Sequence, residues 1–360
     1  MAPKLSLPDD VVRLIVGYAV GGNHLSWYND DGTTWKTLRA VSHASRAAAD
    51  EAYFADVGLA VFGYPDISLR LQSALSAMLA LRPGLGGLVR QLRASAGQVI
   101  DLGAGAALIS SLRDLSMTAN VNPFEPASYD RLLASQTALD RLRLNFDQTS
   151  CTTDELLSLI NHVASTLRRL AVNGVVRGQA AQSTSLLALR WLELRNACGV
   201  LLQPIIDAAP SLATLDVDDR ALASSALARN VGAQLETLVL PGPATSAVDL
   251  RAFVGIKRLV ALRGSVWLPL ARTAGLHLDL EELIGHLDSA QALEFIEACP
   301  RMRYVEAWTY EPTHERWRPL QELKSRLTFA TADIGDSAFG GRSKPRWLLQ
   351  RARPTSRLAG

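Results

Sequence analysis

Lysine is nearly missing from this sequence. Five lysines, Lys4, Lys36, Lys257, Lys324 and Lys344, stand within a combined Lys and Arg count of 37, so arginine carries the basic side. Asp and Glu total 35 and the net charge is +2, which makes no case for a nucleic-acid binder with a concentrated basic face. Alanine, leucine and glycine are abundant alongside, so coding bias explains the arginines better than guanidinium chemistry does. Cysteine is scarcer still: Cys151, Cys198 and Cys299 are odd in number and far apart. They form neither a disulfide framework nor a zinc pattern, and they suit a reducing compartment. No run of about 18 apolar residues occurs, so no spanning helix is expected. The opening "MAPKLSLPDD" reaches two aspartates before any apolar run, unlike a secretory leader. The expected location is the cytoplasm, the nucleus or both.

Catalytic signatures are missing too. The six histidines, His24, His43, His162, His277, His286 and His314, include no H-E-x-x-H. There is no G-x-S-x-G elbow and no P-loop. His277 and His286 flank Glu281 and Glu282, but their spacing fits no helical ligand pair. Cys299, in a helix-ending "ACP", reads as a small buried hydrophobe. The expectation is a chain that is not an enzyme, with no cofactor and no metal.

What is present is a repeat. Hydrophobic residues make up 48% and charged residues 20% of 360, ordinary for a folded protein of two units, or of one unit plus an array. The pattern apolar-x-x-apolar-x-apolar recurs at "VRQLRAS", "LRDLSM", "LDRLRL", "LRRLAV", "LRWLEL", "LATLDV" and "LETLVL". Weaker copies follow at "IKRLVA", "AGLHL", "MRYVEA" and "SRLTF". The central residue falls at 92, 115, 142, 170, 192, 215, 238, 259, 276, 305 and 327. Most gaps lie within about 20–29 residues, the span of one leucine-rich repeat. The gaps of 17 and 29 around Leu276 add to two ordinary repeats, so a shift of the "AGLHL" strand restores the spacing. Apolar residues two apart share one face of a strand, and a single strand cannot cover that face alone; stacked copies can.

The segments between the strands read as helices. In "CTTDELLSLINHVAST", Thr152 and Glu155 stand at capping-box spacing, and Leu156, Leu157, Ile160 and Val163 follow on one face. "SAVDLRAF" and "DSAQALEFIEACP" repeat that grammar. "GQVIDLGAGAALISS", Gly97 to Ser111, resembles the first motif of class I methyltransferases, with Asp101, Gly103 and Gly105 after a strand. Ala107 stands at the third glycine, and "LRDLSMTAN" lacks the acid that would hold a ribose. The stretch also falls where a repeat needs its helical return. It reads as scaffold.

These junctions resemble those of leucine-rich repeat proteins over residues 85–335, with Asn145 and Asn173 at an irregular asparagine ladder. The resemblance implies an α/β solenoid: a curved parallel sheet with helices on its convex side. Before it, Pro8, Asp9 and Asp10 suit a first helical turn, and Val11, Leu14, Ile15 and Tyr18 form one stripe. Leu38, Val41, Ser45 and Ala48 form a second. "LSLPDDVVRLIVGYAV" followed by "TLRAVSHASRAAAD" resembles an F-box, an all-α module spanning residues 5–60. That resemblance implies docking on a Skp-type adaptor and a cullin scaffold through Leu7, Pro8, Ile15, Leu38, Val41 and Ser42. An N-terminal helical cap on the array is the plain alternative. Residues 61–84 read as a connecting helical segment. Residues 336–360, with six basic residues and no acidic one after Asp336, read as a disordered basic tail.

Residues flanking each central leucine point away from the core. Arg141, Arg143, Arg169, Trp191 and Arg195, then Asp216, Asp218 and Trp308, are therefore the expected target-binding set. Arginine and aromatics are the side chains that anchor interfaces. The function expected is a substrate-recognition subunit of a cullin-RING ubiquitin ligase binding a protein target, with no membrane or nucleic-acid partner. The alternative is a leucine-rich repeat scaffold with no ligase connection.

Overall fold

The computed structural model describes residues 33–59, 65–119, 129–178, 184–196, 198–218, 221, 234–240, 255–261, 280–285, 299, 301–308, 329–331 and 346–351. The chain divides into two compact units, Met1–Ala188 and Leu189–Gly360. Both are α/β.

The first unit begins with two helices, α1 (Thr33–Val41) and α2 (His43–Phe54). Between them Ser42 is extended (φ −159°, ψ 171°), and its hydroxyl accepts from Ser45 N at 3.1 Å. That N-cap starts a new helix. The stripe Leu38, Val41, Ser45, Ala48 is therefore split: Ser45 and Ala48 are buried, whereas Val41 is 71% exposed. Five parallel strands follow in chain order: β1 (Asp56–Gly58), β2 (Gln91–Ser95), β3 (Asp114–Thr118), β4 (Arg141–Thr152) and β5 (Arg169–Arg177). Val57, Leu92, Leu115, Leu142 and Leu170 stand in one row across them, all buried. β1 lies within the stretch read as the helical module, so the ladder starts one turn earlier than the repeat pattern indicates. "ADVGLA" carries no leucine at the central position, which hid it.

Between the strands run α3 (Pro65–Leu81), α4 (Ala96–Leu102), α5 (Asp130–Ala134) and α6 (Thr153–Asn161). The Thr152–Glu155 capping box forms: Glu155 N donates to Thr152 Oγ1 at 3.2 Å, and Thr152 N donates to Glu155 Oε2 at 2.7 Å. Leu156, Leu157, Ile160 and Val163 are all buried. In the stretch from Gly97, "GQVIDL" belongs to α4, and Gly103–Leu108 is a 3-10 helix. The methyltransferase motif needs a strand there, so its geometry does not form. Buried Gln136 ties neighbouring turns: its Oε1 accepts from Leu112 N at 3.0 Å, and its Nε2 donates to the carbonyls of Leu132 and Ile109.

The second unit repeats the plan with β6 (Trp191–Arg195), β7 (Thr214–Val217), β8 (Thr237–Leu240), β9 (Arg258–Ala261), β10 (Glu282–Gly285) and β11 (Tyr304–Trp308), all parallel. Leu192, Leu215, Leu238, Leu259 and Leu283 form its buried row, with Val305 next in register. α7 (Leu202–Ala208) stops short of Pro210, since the residue before a proline is biased out of the helical region.

The strand expected at Leu276 lies outside the described residues; the rung that continues the row from Leu259 to Val305 is centred on Leu283. At the far end, β12 (Phe329–Thr331) does not extend the parallel ladder. Instead β13 (Arg346–Arg351), inside the presumed disordered tail, pairs antiparallel with β11, and β12 pairs antiparallel with β13. An edge strand leaves a row of unpaired N–H and C=O groups, and β13 satisfies those of β11. The expected helices at "SAVDLRAF" and "DSAQALEFIEACP" lie outside the described residues.

Candidate protein-binding surface

Nine turns are entered in the same way. The carbonyl two residues before the central position accepts two successive N–H groups from the next turn. In the first unit these carbonyls belong to Ala55, Arg90, Arg113 and Asp140; in the second, to Arg190, Ala213, Glu236, Lys257 and Glu281. The residue at this position is thus fixed in space from turn to turn. So are the residues one before and one after the central leucine, which alternate with it and face away from the core. The latter two make parallel rows on the sheet face away from the core, and the carbonyl-bearing position adds a third row along the edge of that face, at the strand starts.

In the first unit the rows are rich in arginine. Arg141, Arg143 and Arg169, expected at the surface, are exposed. Arg93 Nη2 lies 3.0 Å from both Oδ1 and Oδ2 of Asp56 one strand away. Arg141 is 3.7 Å from Asp114 and 3.8 Å from Asp140, and Arg168 is 3.5 Å from Asp140. An open cleft of about 600 Å³ runs along the strand starts, lined by Gln91, Arg113, Asp114, Asp140, Arg141 and Arg168 among others. Asn173 Nδ2 donates to Asn145 Oδ1 at 2.9 Å, one short rung of an asparagine ladder.

In the second unit the charges answer one another. Arg195 Nη2 lies 2.8 Å from Asp216 Oδ1 and 3.2 Å from Glu193 Oε1. Lys257 meets Glu236 at 3.1 Å, Arg258 meets Glu282 at 3.5 Å, and Arg303 meets Glu281 at 3.0 Å and Glu282 at 3.3 Å. Asp216, expected on the surface, is only 8% exposed. Burial raises its carboxyl above the ordinary 3.8, and Arg195 opposes that shift without cancelling it. Asp218 is half-buried and accepts from Asn196 N and Ala221 N, both at 2.8 Å, so it shapes a turn. Trp191, half-buried, opens β6, and Trp308 closes β11 opposite Arg346 of β13.

Of the expected adaptor-binding residues, Leu7, Pro8 and Ile15 lie outside the described residues. Leu38 is half-buried on α1, Val41 is exposed at its end, and Ser42 is the N-cap of α2. Sequence reasoning missed Arg90, Arg113 and Arg168. Their signal was present, since each stands two before a central leucine in the quoted repeats.

Two thiols are held protonated by burial. Cys198 is pushed up to about 12 and donates to Arg195 O at 2.8 Å, and Cys299 is pushed up to about 11. Neither is a nucleophile near neutral pH. Among the described residues no group of three His, Cys, Asp or Glu side chains is arranged to hold a metal ion, and no helix is long and apolar enough to cross a membrane. No family model matches the chain, and no curated protein matches it.

Proposed function

We propose that this chain is a non-enzymatic protein-recognition scaffold of the leucine-rich repeat type. Its N-terminal helices form an F-box, so that it serves as a substrate-recognition subunit of a cullin-RING ubiquitin ligase. The observation that carries the reading is the parallel ladder in chain order, with rows of charged side chains from successive turns over a leucine core. Such rows offer a broad, evenly spaced surface to a protein partner. The ligase half is supported by the "LPDD" opening, by "LRAVS", and by Val41, a valine left 71% exposed at the end of α1. An adaptor covering Val41 and Leu38 would gain that apolar area. The mechanism is geometric: a target on one surface and a ligase on the other raise each other's effective concentration.

Capture of a purified Skp-type adaptor by the full chain is the test. Capture is expected, with loss on Pro8→Ala plus Ile15→Asp and on Val41→Asp. No capture by the unchanged chain removes the ligase half.

One observation favours a scaffold without a ligase. The Ala55 carbonyl, just after α2, accepts from Arg90 N at 3.0 Å and Gln91 N at 2.8 Å, as the carbonyls of eight later turns accept two N–H groups. The helices then act as the end cap that a repeat array needs. Adaptor capture separates the two readings.

A further inference from the structure

We infer that the exposed face of the first unit takes an extended acidic segment of a partner protein, a run of Asp and Glu side chains. The inference rests on the reading of that face as a protein-binding surface. Across its three rows stand seven arginines (residues 90, 93, 113, 141, 143, 168 and 169) against three aspartates (residues 56, 114 and 140). The aspartates are already engaged. Asp56 holds Arg93, Asp114 meets Arg141, and Asp140 is shared by Arg141 and Arg168. Among the described residues, Arg113 and Arg143 have no ion-pair partner, and both are exposed. The cleft-side pairs are 3.5–3.8 Å long with half to two-thirds of the arginine side chain in solvent. Pairs of that kind contribute little and exchange readily for an incoming carboxylate.

The spread of the arginines selects the shape of the occupant. A lone phosphate draws two or three guanidinium groups to one point. Here Arg113 and Arg143 lie in different rows on adjacent turns, three residues apart along the strand direction, about 10 Å. Same-side groups of an extended peptide recur at about 7 Å, the interval between alternate rows. Nucleic acid is disfavoured for a separate reason. Single strands need exposed aromatic rings for base stacking, and the aromatic side chains described in this unit, Tyr53, Phe54, Tyr129 and Phe146, are all buried.

The test measures fluorescence anisotropy of the full chain with a labelled peptide of alternating Glu and Ser. Its Gln counterpart, inorganic phosphate and single-stranded oligothymidylate serve as competitors. The Glu peptide is expected to bind, to weaken as salt rises, and to resist the Gln peptide and phosphate. Arg113→Gln plus Arg143→Gln should weaken it about tenfold, with the melting temperature unchanged because neither arginine leaves a carboxylate stranded. Lys257→Gln plus Arg303→Gln, in the second unit, should leave binding intact. Tighter binding of oligothymidylate, displacement by phosphate, equal loss in both double variants, or no binding at all would overturn the inference. Loss of a cellular target on Arg143→Glu, with the Glu peptide inert, would discard only the acidic occupant. Target capture indifferent to Arg143→Glu would count against the protein-binding reading of the face.

Discussion

The two units use one backbone plan and opposite charge plans. Both align a row of leucines under a parallel ladder, and in both the carbonyl before a strand recurrently accepts two N–H groups from the next turn. On the exposed rows of the first unit arginines outnumber aspartates and the ion pairs are long. In the second, Lys257, Arg258 and Arg303 each face a glutamate of the adjacent turn, and Arg195 sits between Glu193 and Asp216. The core sets how turns stack, and the rows above it are free to differ. A face whose charges answer one another leaves few free groups; the face with surplus cations is the one proposed above to take a partner.

The comparison can be broken at three levels. The largest effect is expected in the shared core. Leu142→Ala in the first unit and Leu215→Ala in the second should each cost about 3 kcal/mol in urea unfolding. A much smaller loss in either unit would mean that its ladder is not a packed core.

Next come the charges. Arg195→Met leaves the buried Asp216 carboxylate without its cation and should cost about 2 kcal/mol. Arg143→Ala, exposed and outside any described ion pair, should stay within about 0.5 kcal/mol of the unchanged chain. Equal losses for the two would erase the distinction between the faces.

The smallest effect is a pH dependence. Burial holds the folded Asp216 carboxyl above 3.8, so the folded state binds this proton more tightly than the unfolded chain. That group is least costly below 3.8, and it subtracts stability as pH rises through the window from the unfolded to the folded value. Asp216→Asn should therefore gain stability over the unchanged chain at neutral pH and gain nothing under strongly acid conditions. Urea unfolding at both pH values checks it, and a gain confined to the acid end would reverse the assignment.

Much of the ladder was legible because leucine spacing is local and repeats. Nine of the eleven central positions expected from residue 92 onward lie on strands of the parallel ladder. Leu276 and Leu327 lie outside the described residues, and the strand between β9 and β11 is centred on Leu283. The Thr152–Glu155 capping box was legible for the same reason, since both partners lie within one turn of helix. The candidate site was legible only in part. Alternation placed Arg141, Arg143 and Arg169 outside, but the same rule put Asp216 outside, and Arg195 and its neighbours bury it. Nor does periodicity announce β13, whose reason to form is the open edge of β11.

The sequence by itself determined the repeat length, the strand centres and the caps, because each depends on residues a few positions apart. Tertiary structure alone decided which charges pair across turns, which aspartate is buried, and where the parallel ladder ends. Those outcomes depend on groups some twenty residues or more apart in the chain, brought within hydrogen-bonding distance only when one turn is laid on the next.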